Sequence, residues 1–122
     1  GLWCFWCHEV ASWLEYEESR FDNYPQYEPV RQMVEDGELI WITIIDAGYE
    51  SKVAPTELDI SLWWILHENP RIPILADMER QFGPWLAVTG YPSMVLLNED
   101  LRVAQLPENS YLDLWDALLE EG

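Results

Sequence analysis

This chain reads as an α/β domain built around a mixed sheet, and three observations carry that reading. Helix-like and strand-like segments alternate along its 122 residues, the last two strands carry a hairpin signal, and no repeat or low-complexity run interrupts them. That length suits one domain, which can bury roughly two-thirds of the unfolded surface. With 49% hydrophobic residues and eight tryptophans, the chain is not a disordered one.

Cys7, Val10, Ala11 and Leu14 recur at helical spacing and predict a first helix with one apolar face. His8, Ser12 and Glu15 fall on its other face, expected to be wet. Arg20 to Glu28, with Asp22, Asn23 and Pro25, reads as a loop. A short second helix is expected from Pro29 to about Glu35, with Gly37 ending it. Leu39 to Ile45 is nearly all β-branched or aromatic without alternation, which predicts a strand covered on both faces and closed by Asp46 and Gly48.

Thr56 is a candidate N-cap, with Asp59 at the third helical position. The helix it opens has Leu58, Leu62, Ile65 and Leu66 as its apolar stripe, and Asn69-Pro70 stops it. Ile72 to Leu75 predicts a short strand that Pro73 assigns to an edge. Met78 to Val88 is weakly helical, with a kink or break expected at Gly83-Pro84. Met94–Leu97 and Leu101–Leu106, joined by Asn98-Glu99-Asp100, predict a hairpin. Ser110 caps a last helix that carries Leu112, Trp115, Leu118 and Leu119 on one face.

Six basic against 23 acidic residues give a net charge of −17, which argues against nucleic acid and anionic membrane as partners. No apolar run reaches the roughly 18 residues of a membrane span. Two cysteines are too few for a disulfide scaffold. Both lie in Cys4-Phe5-Trp6-Cys7, at the start of the first helix. One helical turn brings two such sulfurs within bridging distance, and the positive end of the helix dipole favours a thiolate at the first. Cys4 is then the expected exposed nucleophile and Cys7 the resolving thiol facing the core. The competing reading is half of a zinc site, but only His8 and His67 could add imidazole ligands, so no metal is expected.

Beyond the cysteine pair, the order of motifs resembles the thioredoxin superfamily, in its envelope TlpA-like, redoxin-type branch. Trp3-Cys4-Phe5-Trp6-Cys7 is similar to the family's W-C-x-x-C. Ile72-Pro73-Ile74-Leu75-Ala76-Asp77 resembles the strand and aspartate of that branch, and Gly90-Tyr91-Pro92 resembles its cis-proline segment. The resemblance spans essentially the whole chain. It implies a thioredoxin fold with a C-terminal hairpin and flanking helices, a redox-active Cys4–Cys7 pair, and a cis bond before Pro92. It also implies a thiol–disulfide oxidoreductase without an organic cofactor, whose partners are protein disulfides or dithiols, in a bacterial envelope. Trp3, Phe5, Trp6, Tyr91 and Pro92 would line the substrate groove. Phe5-Trp6 departs from the proline-containing pairs common between the family's cysteines.

Trp3 is expected to cap the core, and Trp6 divides equally between core and an exposed docking rim. Trp41, Trp63, Trp64 and Trp115 are read as packing residues. His8 is expected on the solvated helix surface, or tuning Cys4 by its charge; His67 reads as a helix C-terminal residue. A degenerate thioredoxin-fold module, binding through the aromatic rim and acidic surface, is the alternative function. A peroxidase is disfavoured because no Thr-x-x-Cys pattern is present.

The family's strand ahead of W-C-x-x-C lies between the long parallel strand and the hairpin, and only Gly1 and Leu2 precede Trp3 here. The expectation is an N-terminally truncated fold that upstream residues complete, and that strand would also bring the family's proton-transfer carboxylate. Residues 1–122 alone should therefore be less stable in urea than a chain extended upstream. Equal stability with cooperative unfolding would refute this topology.

Overall fold

The computed structural model describes residues 2–48, 53–86 and 91–121. In chain order these form α1 (Phe5–Leu14), two 3₁₀ turns (Arg20–Asn23 and Pro25–Tyr27), α2 (Glu28–Glu35) and β1 (Thr43–Ile45). There follow α3 (Glu57–Leu66), β2 (Ile74–Ala76), α4 (Phe82–Leu86), β3 (Leu96–Leu97), β4 (Val103–Gln105) and α5 (Leu112–Glu121). The α/β class and the order of elements are those expected. Instead of one mixed sheet there are two small ones among the described residues: β1 pairs with β2 in parallel, and β3 pairs with β4 antiparallel. β1 and β3 do not pair with each other among the described residues.

Local chemistry explains most boundaries. The Thr56 hydroxyl accepts the Asp59 N–H, and the Asp59 carboxylate accepts the Thr56 N–H, so both ends of a capping box open α3. Asp113 accepts three backbone N–H groups, from Glu108, Asn109 and Ser110, ahead of α5. Gly37 ends the second-helix region at φ 77°, a left-handed conformation that glycine adopts without strain. Asn98 closes the hairpin turn by accepting the N–H groups of Asp100 and Arg102.

Four expectations need correction. The loop over Arg20–Glu28 is instead two 3₁₀ turns whose Phe21 and Tyr27 are buried, since aromatic bulk here outweighs the polar majority. Gly83 and Pro84 do not break α4. Pro84 sits in the first turn, where its missing N–H would have no helical partner anyway, and the Asp77 carboxylate accepts the N–H groups of Gln81 and Phe82. Val88 lies outside the described residues. The stretch Leu39–Ile45 forms a strand only from Thr43 and is not covered on both faces. Leu39 and Trp41 pack on the core, whereas Ile40 and Ile42 are exposed.

The fourth correction concerns α3. Its apolar stripe faces outward, with Leu58 66% and Ile65 73% exposed and Leu66 also exposed. The buried side presents Asp59 and Trp63, followed by His67 just past the helix end. Asp59 must point inward to close the capping box, and it also approaches Gly48, where a Cβ would stand 2.9 Å from its Oδ2. Trp63 packs inward as expected, but Trp64 is exposed.

The main core lies between α1, α2 and α5. Trp13 and Trp115, each 1% exposed, stack with ring centres 4.8 Å apart and planes 17° from parallel. Phe21, Tyr27, Trp41 and Tyr111 surround Trp115, and Val10, Leu14, Val30, Val34 and Leu114 fill the remaining volume. Trp115→Ala should cost about 3–5 kcal/mol, a large share of the roughly 5–15 kcal/mol available to a domain. Leu58→Ala and Ile65→Ala should stay within about 0.5 kcal/mol of wild type, as exposed positions do. Urea midpoints measure both, and a large loss at Leu58 would show that α3 buries its apolar stripe after all.

Candidate functional site

Cys4 is the N-cap of α1, in an extended conformation, and its Sγ accepts the N–H of Cys7 at 3.2 Å. The two cysteines form a disulfide with their Cα atoms 5.3 Å apart, inside the bridging range that the spacing predicts. The first turn of α1 carries no acidic side chain, so nothing there opposes the positive end of the helix dipole. The exposure of the pair is the reverse of the expectation: Cys4 is 4% exposed, while Cys7 is only partly buried. The N-cap position tucks Cys4 under the start of the helix, and one turn further on Cys7 reaches the surface.

Trp3, Phe5 and Trp6 all stand half-exposed around this pair. Trp3 is not a core residue; it meets the ring of Tyr91 edge-on at 5.3 Å. Phe5 packs on Trp6, and Arg20 lies over the Phe5 ring at 5.1 Å. Trp6 belongs to both settings, because its other contact is the buried Phe21. The Tyr91–Pro92 bond is cis, as the resemblance implies, and Gly90 lies outside the described residues. The Trp3–Tyr91 contact brings the Tyr91-Pro92 segment to the chain just ahead of Cys4.

Tyr91 leads to a residue that sequence reasoning read only as a strand end. Its hydroxyl donates to Oδ2 of Asp46, which follows β1 and is buried, and Arg80 stands 3.9 Å from the same oxygen. Burial, then the hydrogen bond to Asp46, pushes the Tyr91 phenol up to about 12. The second Asp46 oxygen is buried with no hydrogen-bond partner among the described residues. An aspartate at the carboxyl end of a parallel strand was a signal available in the sequence, since sites gather there in open α/β sheets.

The expected wet face of α1 is also corrected. His8 is partly buried and held by protein partners: Nε2 lies 2.7 Å from the Leu2 carbonyl and Nδ1 lies 2.6 Å from His67 Nε2. Trp63 stacks on the His8 ring. His67 Nδ1 in turn lies 3.6 Å from Glu15 Oε1, and both of those side chains are buried. His8 and Glu15 meet Trp63 and His67 at the end of α3, so tertiary packing covers these two residues of a face that amphipathic spacing assigns to water. Burial lowers His67 to about 4, helped by His8, and raises Glu15 to about 7, helped by Glu17.

Cys4-Phe5-Trp6-Cys7-His8 also has the spacing by which c-type haem is attached. These residues do not fit that group in this arrangement. Both His8 ring nitrogens already face protein partners. Among the described residues no three His, Cys, Asp or Glu side chains cluster to hold a metal ion, and no helix is long and apolar enough to cross a membrane. Compared with family models, curated proteins and solved structures, the chain finds no match.

The two buried titrating groups give stability opposed dependences on pH. Between about 4.5 and 7 the folded state binds the Glu15 proton more tightly than the unfolded chain, so this contribution falls as pH rises. Between about 6.5 and 4 the unfolded chain binds the His67 proton more tightly, so that contribution falls as pH drops. Glu15→Gln should leave the second trend alone, giving a urea midpoint that climbs from pH 4 to 6.5 more steeply than wild type. A flatter profile in the variant would contradict the assignment.

Proposed function

We propose that this chain is a thiol–disulfide oxidoreductase domain of thioredoxin type. The observation that carries the reading is the Cys4–Cys7 pair bonded across the N-terminus of α1. A helix terminus with a backbone N–H aimed at Cys4 Sγ stabilises a thiolate there once the disulfide is reduced. Further support comes from Tyr91, whose ring meets Trp3 just ahead of the pair, and from the α/β order with its hairpin.

In the reducing direction, the Cys4 thiolate attacks a partner disulfide. A Cys4–partner bond forms, the partner bond breaks, and the departing sulfur leaves as a thiolate that takes up a proton. Cys7, as thiolate, then attacks the Cys4 sulfur, restores the Cys4–Cys7 bond and releases the second partner thiol. Two electrons pass to the partner, and a protein dithiol returns them. Run backwards, the same steps oxidise a partner dithiol. The backbone at Tyr91 would pair with the bound segment as an added strand.

A second reading is a binding module on the same scaffold, favoured by the half-exposed Trp3, Phe5 and Trp6. Insulin reduction by a dithiol in the presence of the protein separates the two. Catalysis that Cys4→Ser and Cys7→Ser both abolish supports the oxidoreductase; no acceleration by wild type leaves the module.

The roles of the two thiols have their own test. In reduced protein near neutral pH, alkylation should label Cys4 before Cys7, because the dipole and the Cys7 N–H favour its thiolate over the more exposed sulfur. Cys7→Ser should then trap a mixed disulfide through Cys4. Labelling of Cys7 first would exchange the nucleophile and the resolving thiol.

A further inference from the structure

Three side chains that the redox chemistry does not use meet where α1 faces α3. His8 grips the chain ahead of the cysteine pair twice: its backbone N–H donates to the Cys4 carbonyl at 3.2 Å, and its ring Nε2 lies 2.7 Å from the Leu2 carbonyl. A carbonyl only accepts, so Nε2 carries the hydrogen and Nδ1 of neutral His8 is an acceptor. The atom facing it at 2.6 Å, His67 Nε2, must then be the donor. His67 Nδ1 is left as a buried acceptor without a hydrogen bond among the described residues, with Glu15 Oε1 3.6 Å away. The line is complete when Glu15 is the neutral acid with its O–H turned to His67. An ionised Glu15 sets a carboxylate against that lone pair instead.

We infer that Glu15, His67 and His8 form a line of polar side chains that clamps the Leu2–Cys4 segment according to the protonation of Glu15, which makes His8 a positioning residue for the Cys4–Cys7 pair. The role toward the pair rests on the redox reading above; the clamp does not. Burial favours the neutral forms that the line needs, at Glu15 and at His67 alike. Glu17, beyond the end of α1, acts on Glu15 in the same sense. From α3, Trp63 contributes a stacked ring without charge, and beyond the helix end Asn69 donates to the Leu14 carbonyl at 3.5 Å. Of the remaining charges around α1, Glu9 pairs with Arg20, and Arg31 of α2 pairs with Glu28 and covers Tyr16.

The clamp is tested on the oxidised protein by NMR, from pH 5 to 9. Imidazole nitrogen shifts should show the His67 ring in the Nε2–H form at pH 6, and the backbone amides of Trp3 and Cys4 should shift with a midpoint near 7. The Glu15 carboxyl carbon should share that midpoint in wild-type protein, which keeps the test decisive even where a variant does not fold. Glu15→Gln, whose amide can donate to His67 at every pH, should keep the His67 tautomer and lose the midpoint at Trp3 and Cys4. His67 in the Nδ1–H form, or a midpoint that survives in the variant, overturns the clamp. These readings need no disulfide partner, so failure to reduce insulin would strike the redox function and leave them standing. The equilibrium of the cysteine pair with dithiothreitol should show an inflection near pH 7 in wild type that Glu15→Gln loses. Identical profiles would overturn the positioning role of His8.

Discussion

The stacked indoles of Trp13 and Trp115 join the first helix to the last, and the placement of everything else on α1 follows from that contact. Both rings are sealed from water, each large enough that burial contributes several kcal/mol, and neither can be replaced without leaving a cavity. With Trp13 turned inward, Val10 and Leu14 also meet the core. Phe21 reaches Trp13 and Trp115 on one side and Trp6 on the other, so the aromatic rim beside the cysteines is continuous with the packed interior. Arg31 finishes the arrangement from α2, lying over Trp13 and donating to its carbonyl.

Fixing α1 in this rotation has a polar consequence. Its remaining face, with His8 and Glu15, must meet α3, and a buried polar group costs free energy unless it finds a partner. α3 meets that requirement by turning Trp63 and His67 inward, and Asn69 completes the seam at the Leu14 carbonyl. The capping box adds Asp59 to the same inward side. With these residues inside, Leu58, Ile65 and Leu66 are left outside. Helix α3 is therefore amphipathic in the sense opposite to its hydropathy.

The cysteine pair sits where these two constraints meet. Its helix is anchored through Trp13, and the chain leading into it is held by the His8 ring and by the contact of Trp3 with Tyr91. Tyr91 is tied in turn to Asp46 at the end of β1. The elements around Cys4 are thus joined by side chains from α1, from α3, and from the segment ahead of β3. Backbone pairing between the two sheets plays no part among the described residues.

What the sequence determined by itself was local. The order of helices and strands, the Thr56–Asp59 and Ser110–Asp113 caps, the turn at Asn98 and the bridging of Cys4 to Cys7 all depend on residues within a few positions of each other. Tertiary structure decided which face of each element is buried. The extra helical face of Trp13, the reversed stripe of α3 and the alternation that exposes Ile40 and Ile42 depend on partners tens of residues away. The same holds for the functional surroundings: Asp46 meets Tyr91 across 45 positions, and His8 meets His67 across 59. Spacing reports which residues share a face, but only the packing of distant elements determines whether that face meets water, an indole or another imidazole.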